Sequence, residues 1–454
     1  MKKLTTQERK HAIVMGGSMA GLLTARVLSD HFVGVTIVER DAFPDGAAHR
    51  RGVPQARHTH GLLASGCEVL EEFFPGISGA LRRRGAVSAD LARDFRWFFE
   101  GGCLARFASD LNGLLLSRPL LEAAVRERVL RLPNVRRCDN AVVDGLTFDP
   151  RSRTVTGIRI GDEALAADLV VDAMGRGSRT PQWLKAVGYQ RPREDAVYMA
   201  LGYTTRFFRR SPGDLGGDLG AVIPPTPDGK KGGVMIAQEG DRWAVTLMSH
   251  FGDQAPEEIG GFIDFARTLP APYIHEVIRH AEPLGVGTST RFPASVRRRY
   301  EKLSAFPAGY LVVGDAMCSF NPIYGQGMSV AALEAVELER TLLENSKDLA
   351  RRFFARAAKV VDNPWSIAVG NDLRMPEAVG QRTIAGRFIN WYISKLHRAG
   401  HSDGTVAFAF QQASNLLAPP ASILHPRVAL RVLWKNLVVP AKNSERAPYA
   451  LRAE

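Results

Sequence analysis

Three short segments of this chain contain residues whose type and spacing could hold a phosphate or a polar ligand. The first is the glycine turn Gly16-Gly17-Ser18-Met19-Ala20-Gly21, which follows an apolar run and precedes a helical pattern. Glycines at such a turn let the backbone approach a pyrophosphate, and the following helix offers free N–H groups and a partial positive charge. The pattern predicts a dinucleotide-binding turn, although Ser18 stands where the GxGxxG motif has its second glycine.

Charged residues after the second apolar strand extend this prediction. Glu39 ends the run GVTIVE and stands 23 residues after Gly16, close to the usual distance for a carboxylate that binds a ribose diol. Arg40 follows directly, and we assign it to the same site. Arg50 and Arg51 lie in the next loop, where we expect contact with an adenosine phosphate.

The second segment, Gly314–Met328, predicts that the nucleotide is a flavin. Asp315 follows a buried strand, where a carboxylate can accept hydrogen bonds from ribitol hydroxyls. The glycine backbone after it can lie against a flat ring, and the next helix would direct its positive end at a reduced, anionic flavin. The residues predicted to face the flavin are Pro322, Gly325, Gln326, Gly327 and Met328.

At these segments the chain resembles the flavin monooxygenases of the para-hydroxybenzoate hydroxylase type. Four stretches look closer to bacterial polyether polyketide epoxidases and, more remotely, to squalene epoxidases: ERDAFP, RRGVPQARHTHGLL, MGRGSRTPQWL and CSFNPIYGQGMSVAALEA. The resemblance implies FAD, with Arg118 on its pyrophosphate. It also implies an apolar organic substrate in natural-product biosynthesis, which receives one oxygen atom from O₂ as an epoxide or hydroxyl through a flavin C4a-hydroperoxide. It assigns no essential acid or base.

The third segment, Asp172–Arg179, also follows an apolar strand and bears on how electrons reach the flavin. The hydroxylases carry an aspartate before the glycine of this motif, and that aspartate helps to handle both FAD and NADPH. Met174 stands there in this chain, and the nearest acid is Asp172. NAD(P)H is the expected electron source, either directly or through a separate flavin reductase or other donor protein.

Hydrophobic periodicity predicts an α/β protein. A Rossmann-like FAD-binding domain is expected over 1–80, 106–182 and 291–345, because the apolar run before Asp315 reads as a strand that rejoins the N-terminal sheet. Alternating aromatic and β-branched residues predict an inserted antiparallel sheet, the substrate domain, over 81–105 and 183–290. Residues 346–454 form a helical C-terminal region in this prediction.

The inserted sheet is expected to cover the flavin and form a dry substrate pocket. Strand alternation places Tyr203 and Phe207 on one face, and Trp243 and Leu247 on one face of another strand. For each side chain, ordinary core packing is the alternative. The predicted pocket residues are His58, His60, Tyr203, Phe207, Leu247 and Tyr324.

Composition excludes several other classes of function. The four cysteines are far apart and form no CxxC pair, so we expect no disulfide framework, no metal site and a cytoplasmic protein. The net charge is +12, but the bases are scattered, which argues against nucleic-acid binding. Residues 427–438 combine a basic stripe with apolar positions, typical either of a docked helix or of peripheral membrane contact. Glu334 and Glu337 are expected on a solvated helix face.

Three other functions remain open at this stage. A flavin-dependent halogenase would need a WxWxIP segment, and Trp365 stands alone in NPWSIAVGND. A flavin-dependent ene reductase of isoprenoid chains would consume no oxygen. A flavin-binding redox sensor would transform no substrate.

Overall fold

The computed structural model describes residues 10–344 and 348–438, and a parallel sheet forms its centre. Runs such as AIVM, VTIV and LVV are apolar at nearly every position, as expected for strands buried on both faces. The strands are β1 (His11–Met15), β2 (Gly34–Val38), β3 (Gly61–Leu62), β4 (Val87–Asp90), β5 (Phe95–Phe99), β6 (Gly102–Cys103), β7 (Asn112–Leu115), β8 (Val135–Cys138), β9 (Gly145–Asp149), β10 (Thr154–Ile160), β11 (Glu163–Ala166), β12 (Leu169–Asp172), β13 (Glu194–Arg209), β14 (Gly220–Ile223), β15 (Lys231–Gln238), β16 (Arg242–His250), β17 (Pro283–Arg298), β18 (Tyr310–Val312) and β19 (Cys318–Ser319).

Helices cover this sheet and form the C-terminal part of the chain. They are α1 (Met19–Ser29), α2 (Ala64–Phe73), α3 (Ile77–Arg83), α4 (Arg118–Val129), α5 (Thr180–Ala186), α6 (Ile259–Arg267), α7 (Tyr273–Ile278), α8 (Gly327–Leu343), α9 (Leu349–Asp372), α10 (Ile384–Gly400), α11 (Gly404–Ser414) and α12 (Pro426–Val438). Among the described helices, none is both long and apolar enough to cross a membrane.

The parallel sheet has the strand order β18-β12-β1-β2-β8. Strand β1 pairs in parallel with β12 and with β2, and β12 pairs in parallel with β18. The strand before Asp315 therefore returns to the N-terminal sheet, as the sequence predicts. Because all of these strands run in one direction, their carboxyl ends meet at one edge, where open α/β sheets bind ligands.

The second large sheet has eight strands in the order β19-β17-β13-β16-β15-β14-β5-β6. Its pairings are antiparallel except between β14 and β5, which run in parallel. One face packs on α6 and α7 through a core that includes Trp243, Phe262 and Ile274. The other face carries a smaller apolar cluster that packs against Ile323. The fold is therefore mixed α/β with a separate, largely antiparallel sheet and C-terminal helices, as predicted.

Candidate functional site

The glycine turn lies at the carboxyl edge of the parallel sheet and needs its glycines for close packing. Gly16 has φ +105°, and a Cβ there would lie 2.5 Å from the carbonyl oxygen of Ala173. A Cβ on Gly21 would lie 1.8 Å from the carbonyl oxygen of Gly16. A Cβ on Gly314 would lie 2.8 Å from that of Ala20, in the first turn of α1. The three segments identified from the sequence therefore meet at one place.

A network of buried charged side chains is hydrogen-bonded to this turn. Glu39 Oε2 accepts a hydrogen bond from the Gly17 N–H at 2.8 Å and lies 3.0 Å from Arg50 Nη1. Arg50 Nη2 donates to Glu122 Oε1 at 2.5 Å and to the Gly17 carbonyl at 3.2 Å. Burial lowers the pKa of Arg50, but the two carboxylates outweigh it and the net shift is upward. Arg50 therefore positions Glu39, and its predicted contact with a phosphate stays a prediction.

Arg118, the first residue of α4, directs its charge at the same turn. Its Nη2 donates to Ser18 Oγ at 2.9 Å, and Ser18 Oγ donates to Glu122 Oε2 at 2.9 Å. Its Nε is buried and has no hydrogen-bond partner among the described residues. Burial lowers the pKa of Arg118, and Glu122 and Asp315 oppose that shift. A cation with a spare donor beside a helix N-terminus fits a phosphate group.

Asp315 borders an open space lined by glycine backbone. Burial raises its pKa, while the nearby Arg118 and Arg176 lower it. A Cβ on Gly175 or on Gly327 would come no closer than 3.9 Å to Asp315. Gly325 has φ +66° and open space within 4 Å of its Cβ position. A polyol and a flat ring fit this combination of a carboxylate and bare backbone.

The remaining predicted cofactor residues differ in their exposure. Arg40, Arg51, Pro322 and Gly327 are exposed, whereas Met19, Gln326 and Met328 are buried. Gln326 Oε1 has no hydrogen-bond partner in the described part of the chain. Their contacts with a cofactor stay predictions.

The loop before α8 is tied to the end of α9 by a carboxylate that the sequence analysis missed. Asp372 Oδ1 accepts hydrogen bonds from Asn321 Nδ2 at 2.7 Å and from the Tyr324 hydroxyl at 3.0 Å. Burial raises the pKa of Asp372 to about 7, and these two hydrogen bonds act against that shift. Tyr324 thus anchors the loop. No motif marks Asp372, which lies 57 residues after Asp315.

The expectation for Glu334 is wrong, because this residue is 1% exposed. Its Oε2 accepts a hydrogen bond from the Gly314 N–H at 2.6 Å. Burial raises its pKa to about 8, and Asp315 adds to the increase. Glu334 faces the turn at Gly314, beside α1, and this contact covers the position that the sequence analysis assigned to solvent. Glu337 is only partly as expected, because 16% of its side chain is exposed and it pairs with both Arg340 and Arg356.

An apolar pocket wall adjoins the loop. Tyr203, Met248 and Phe292 belong to one buried cluster, against which Ile323 of the loop packs. The Arg176 guanidinium lies 4.4 Å from the centre of the Phe292 ring. The predicted pocket residue Tyr203 is therefore on the face of the sheet that meets the loop.

The two histidines lie at the polar side of this wall. His58 contacts Thr205 Oγ1 through Nδ1 at 2.9 Å and Thr290 Oγ1 through Nε2 at 2.8 Å, and its ring packs edge-on against Tyr203. Burial, helped by Arg57, lowers the pKa of His58 to about 4. Burial and Arg118 lower that of His60 to about 3. Both rings are neutral near pH 7 and act through hydrogen bonds rather than charge.

One predicted pocket residue lies on the other face of the sheet. Leu247 pairs with Thr204, one position from Tyr203, and so points to the opposite face, where it packs with Ile274 in the core under α7. Phe207 pairs with Ala244, so it lies on the Tyr203 face further along β13, where the Arg242 guanidinium is 4.8 Å from its ring centre, and its place in the pocket stays a prediction. Alternation gives the two faces of a strand, but it does not tell which one is covered by helices.

No family model matches this chain. Protein Rv3254 of Mycobacterium tuberculosis is 34% identical over 394 residues, which are 82% of this chain and 82% of that protein. PqsL of Pseudomonas aeruginosa, a probable FAD-dependent monooxygenase, has a TM-score of 0.59 at 17% identity over 80% of this chain and 97% of its own. The flavin-dependent brominase Bmp2 has a TM-score of 0.66 at 12% identity over 94% of this chain and 98% of its own. The two solved structures establish a shared fold.

Proposed function

We propose that this chain, which belongs to the same protein family as the mycobacterial Rv3254, is an FAD-dependent monooxygenase for an apolar organic substrate. The observation that carries the proposal is the meeting of Arg118, Asp315 and open glycine backbone at one sheet edge, beside an apolar wall. The shared fold with PqsL supports it.

The residues present fit FAD in an extended form across this edge. The Gly16–Gly21 turn and Arg118 would hold the pyrophosphate, and Glu39 would hold the adenosine ribose. Asp315 would accept hydrogen bonds from the ribitol, and Gly325 would leave room for the ring. FAD, once reduced, supplies the activation of O₂.

The chain's own groups would make the environment for oxygen transfer. Tyr203, Met248 and Phe292 would keep water out of the space beside the loop. The N-terminus of α8, which begins at Gly327, would stabilise negative charge on a group bound there. His58 has both ring nitrogens bonded to threonine hydroxyls, so it would contribute a neutral, fixed side chain to the wall rather than a charge. We assign no acid or base, and delivery of oxygen to an alkene needs none.

Product mass is the direct test of this function. The purified protein, supplied with FAD, NADPH and a general flavin reductase, would be offered a panel of apolar alkenes and electron-rich aromatics under heavy-isotope-labelled O₂. We expect a gain of one labelled oxygen atom, as an epoxide from an alkene or a hydroxyl on a ring. Release of FMN instead of FAD from the protein, or oxygen uptake that yields only peroxide with every substrate class, contradicts the proposal.

A halogenase is the second candidate, because the fold is shared with the brominase Bmp2. The chain has no WxWxIP segment, and Trp365 has no second tryptophan nearby. A halide added to the same assay separates the two activities: a halogenated product that depends on it supports the second candidate. A gain of two hydrogens without oxygen uptake would indicate an ene reductase.

We also propose that a separate reductase supplies the electrons. Met174 stands where the hydroxylases have an aspartate, and the acid nearby, Asp172, is buried and accepts hydrogen bonds from Ser178 and Thr180 at 2.5 Å each. The Asp172 carboxylate is thus occupied by hydrogen bonds within its own turn. Anaerobic stopped-flow with NADPH alone should show slow bleaching of the flavin. Bleaching as fast as turnover, with substrate bound, refutes a need for the reductase.

A further inference from the structure

Two C-terminal helices expose more apolar surface than any other pair of helices in the described part of the chain. The large apolar side chains of α10 and α12 that are more than half exposed are Ile384, Phe388, Trp391, Leu430, Leu433, Trp434, Leu437 and Val438. The helices contact each other, and Asn436 Nδ2 donates to the Lys395 carbonyl at 2.9 Å. We call these exposed side chains the apolar face.

On α12 this face lies opposite the side that packs on the protein. At 3.6 residues per turn, Leu430, Trp434 and Leu437 fall on one stripe, about half a turn from the buried Val428 and Val432. The three cations of the helix lie between the two sides, along one flank. They are Arg427, Arg431 and Lys435. On α10 the stripe of Ile384, Phe388 and Trp391 is flanked in the same way by Arg387 and Arg398.

The charge on these helices has one sign. Six Lys and Arg residues and no Asp or Glu occur in the two sequences. Two of these cations pair with acids from neighbouring segments, Arg431 with Asp403 and Arg398 with Glu100. The other four form no ion pair with a described residue: Arg387, Lys395, Arg427 and Lys435. An apolar stripe with tryptophans and flanking cations is the arrangement of helices that lie in the interface of an anionic bilayer.

Helix α10 and the segment before it contact segments near the pocket wall. Tyr198, at the start of β13, pairs through its backbone with Val379, and both side chains are more than half exposed. Asn390 of α10 donates to the Gly370 carbonyl, and the neighbouring Val369 packs against the pocket cluster. Helix α10 is therefore held, on a side away from the apolar face, against the segment that packs on the pocket cluster.

We propose that α10 and α12 bind the protein peripherally to an anionic lipid surface. The stripe enters the boundary between headgroups and acyl chains, and the flanking cations meet the phosphates. Because the charged residues of both helices are all positive, an anionic lipid surface is favoured over a second copy of this chain, whose like charges would repel. The proposal concerns binding and is independent of the oxygenation reaction.

Vesicle flotation of the full chain with bound flavin tests this proposal. We expect the protein to float with vesicles of phosphatidylglycerol and phosphatidylcholine, and to remain in solution with phosphatidylcholine alone or at high salt. The double variant Trp434→Ser/Leu437→Ser should lower the partition coefficient at least tenfold, and Lys435→Glu/Arg427→Glu should do so on anionic vesicles.

Matched controls lie on other surfaces. Val286→Ser alters an exposed apolar residue of β17, and Arg267→Glu alters an exposed cation of α6. Both should float as the parent does, and the circular dichroism spectrum confirms that every variant is folded. Equal flotation of the parent and the double variants, or no flotation on anionic vesicles, overturns the proposal. So does a lipid-free dimer that Trp434→Ser/Leu437→Ser dissociates, since the face would then belong to a second copy.

Discussion

Burial of the Glu334 carboxyl should make the folded protein less stable as pH rises, and one substitution should remove this pH dependence. Its pKa is raised from an ordinary value near 4.5 to about 8 by burial. Between these values the unfolded chain has lost the proton and the folded chain still holds it, so rising pH favours unfolding. Below the ordinary value both states are protonated, and above the raised value both are ionised.

Glu334→Gln keeps the shape of the protonated side chain and removes the titration. The amide oxygen can still accept the hydrogen bond from the Gly314 N–H. One pKa unit corresponds to about 1.4 kcal/mol, so a rise of the pKa from 4.5 to about 8 amounts to about 5 kcal/mol in total. The variant should therefore gain stability over the parent by about 4 kcal/mol between pH 5 and pH 8.

The assay is urea unfolding of both proteins at several pH values in this window, at equal flavin saturation because bound ligand also stabilises the folded state. Glu337→Gln on the same helix is the control, since Glu337 is partly exposed and pairs with Arg340 and Arg356. A stability difference that does not change with pH, or that the control reproduces, refutes the assignment of a neutral buried carboxyl at Glu334.

Three further predictions concern the site and its surroundings. Gly16→Ala should abolish FAD binding, because its Cβ would lie 2.5 Å from the Ala173 carbonyl at a φ of +105°; Gly46→Ala, with φ +75° and open space, is the control in a flavin-retention assay. Asp315→Ala should weaken FAD binding by about 1.5–3 kcal/mol through loss of a charged hydrogen-bond acceptor, and an unchanged dissociation constant by fluorescence titration would remove Asp315 from the site. Leu247→Ala should lower the free energy of unfolding by about 2–5 kcal/mol without changing the choice of substrate, because Leu247 is a core residue. A changed product profile in the mass assay would show instead that Leu247 lines the pocket.

The sequence predicts best what depends on chain direction. Gly16, Glu39 and Asp315 each follow an apolar parallel strand, and parallel strands must end at one edge, so their meeting could be deduced. Which side of an element faces the interior depends on partners from distant segments. Leu247 and Glu334 were misplaced for this reason, since α7 covers the first and the distant turn at Gly314 covers the second.

Contacts between distant residues without a motif were missed altogether. Glu122 and Asp372 carry no recognisable spacing, yet one holds Arg50 and the other holds Tyr324. Their positions follow from the packing of α4 and α9 against the glycine turn and the loop, which pattern reading does not supply.

The strand order of the parallel sheet also sets a delay during protein synthesis. Strand β1 lies at the centre, but its neighbour β12 comes about 150 residues later, and β18 about 300 residues later. At 5–20 residues per second, roughly 15–60 s pass between translation of β1 and of β18. Throughout that interval the growing chain carries an apolar strand with an unpaired edge, which is a template for aggregation. The yield of folded protein in a cell should therefore depend on chaperones that hold the nascent N-terminal half until β18 leaves the ribosome.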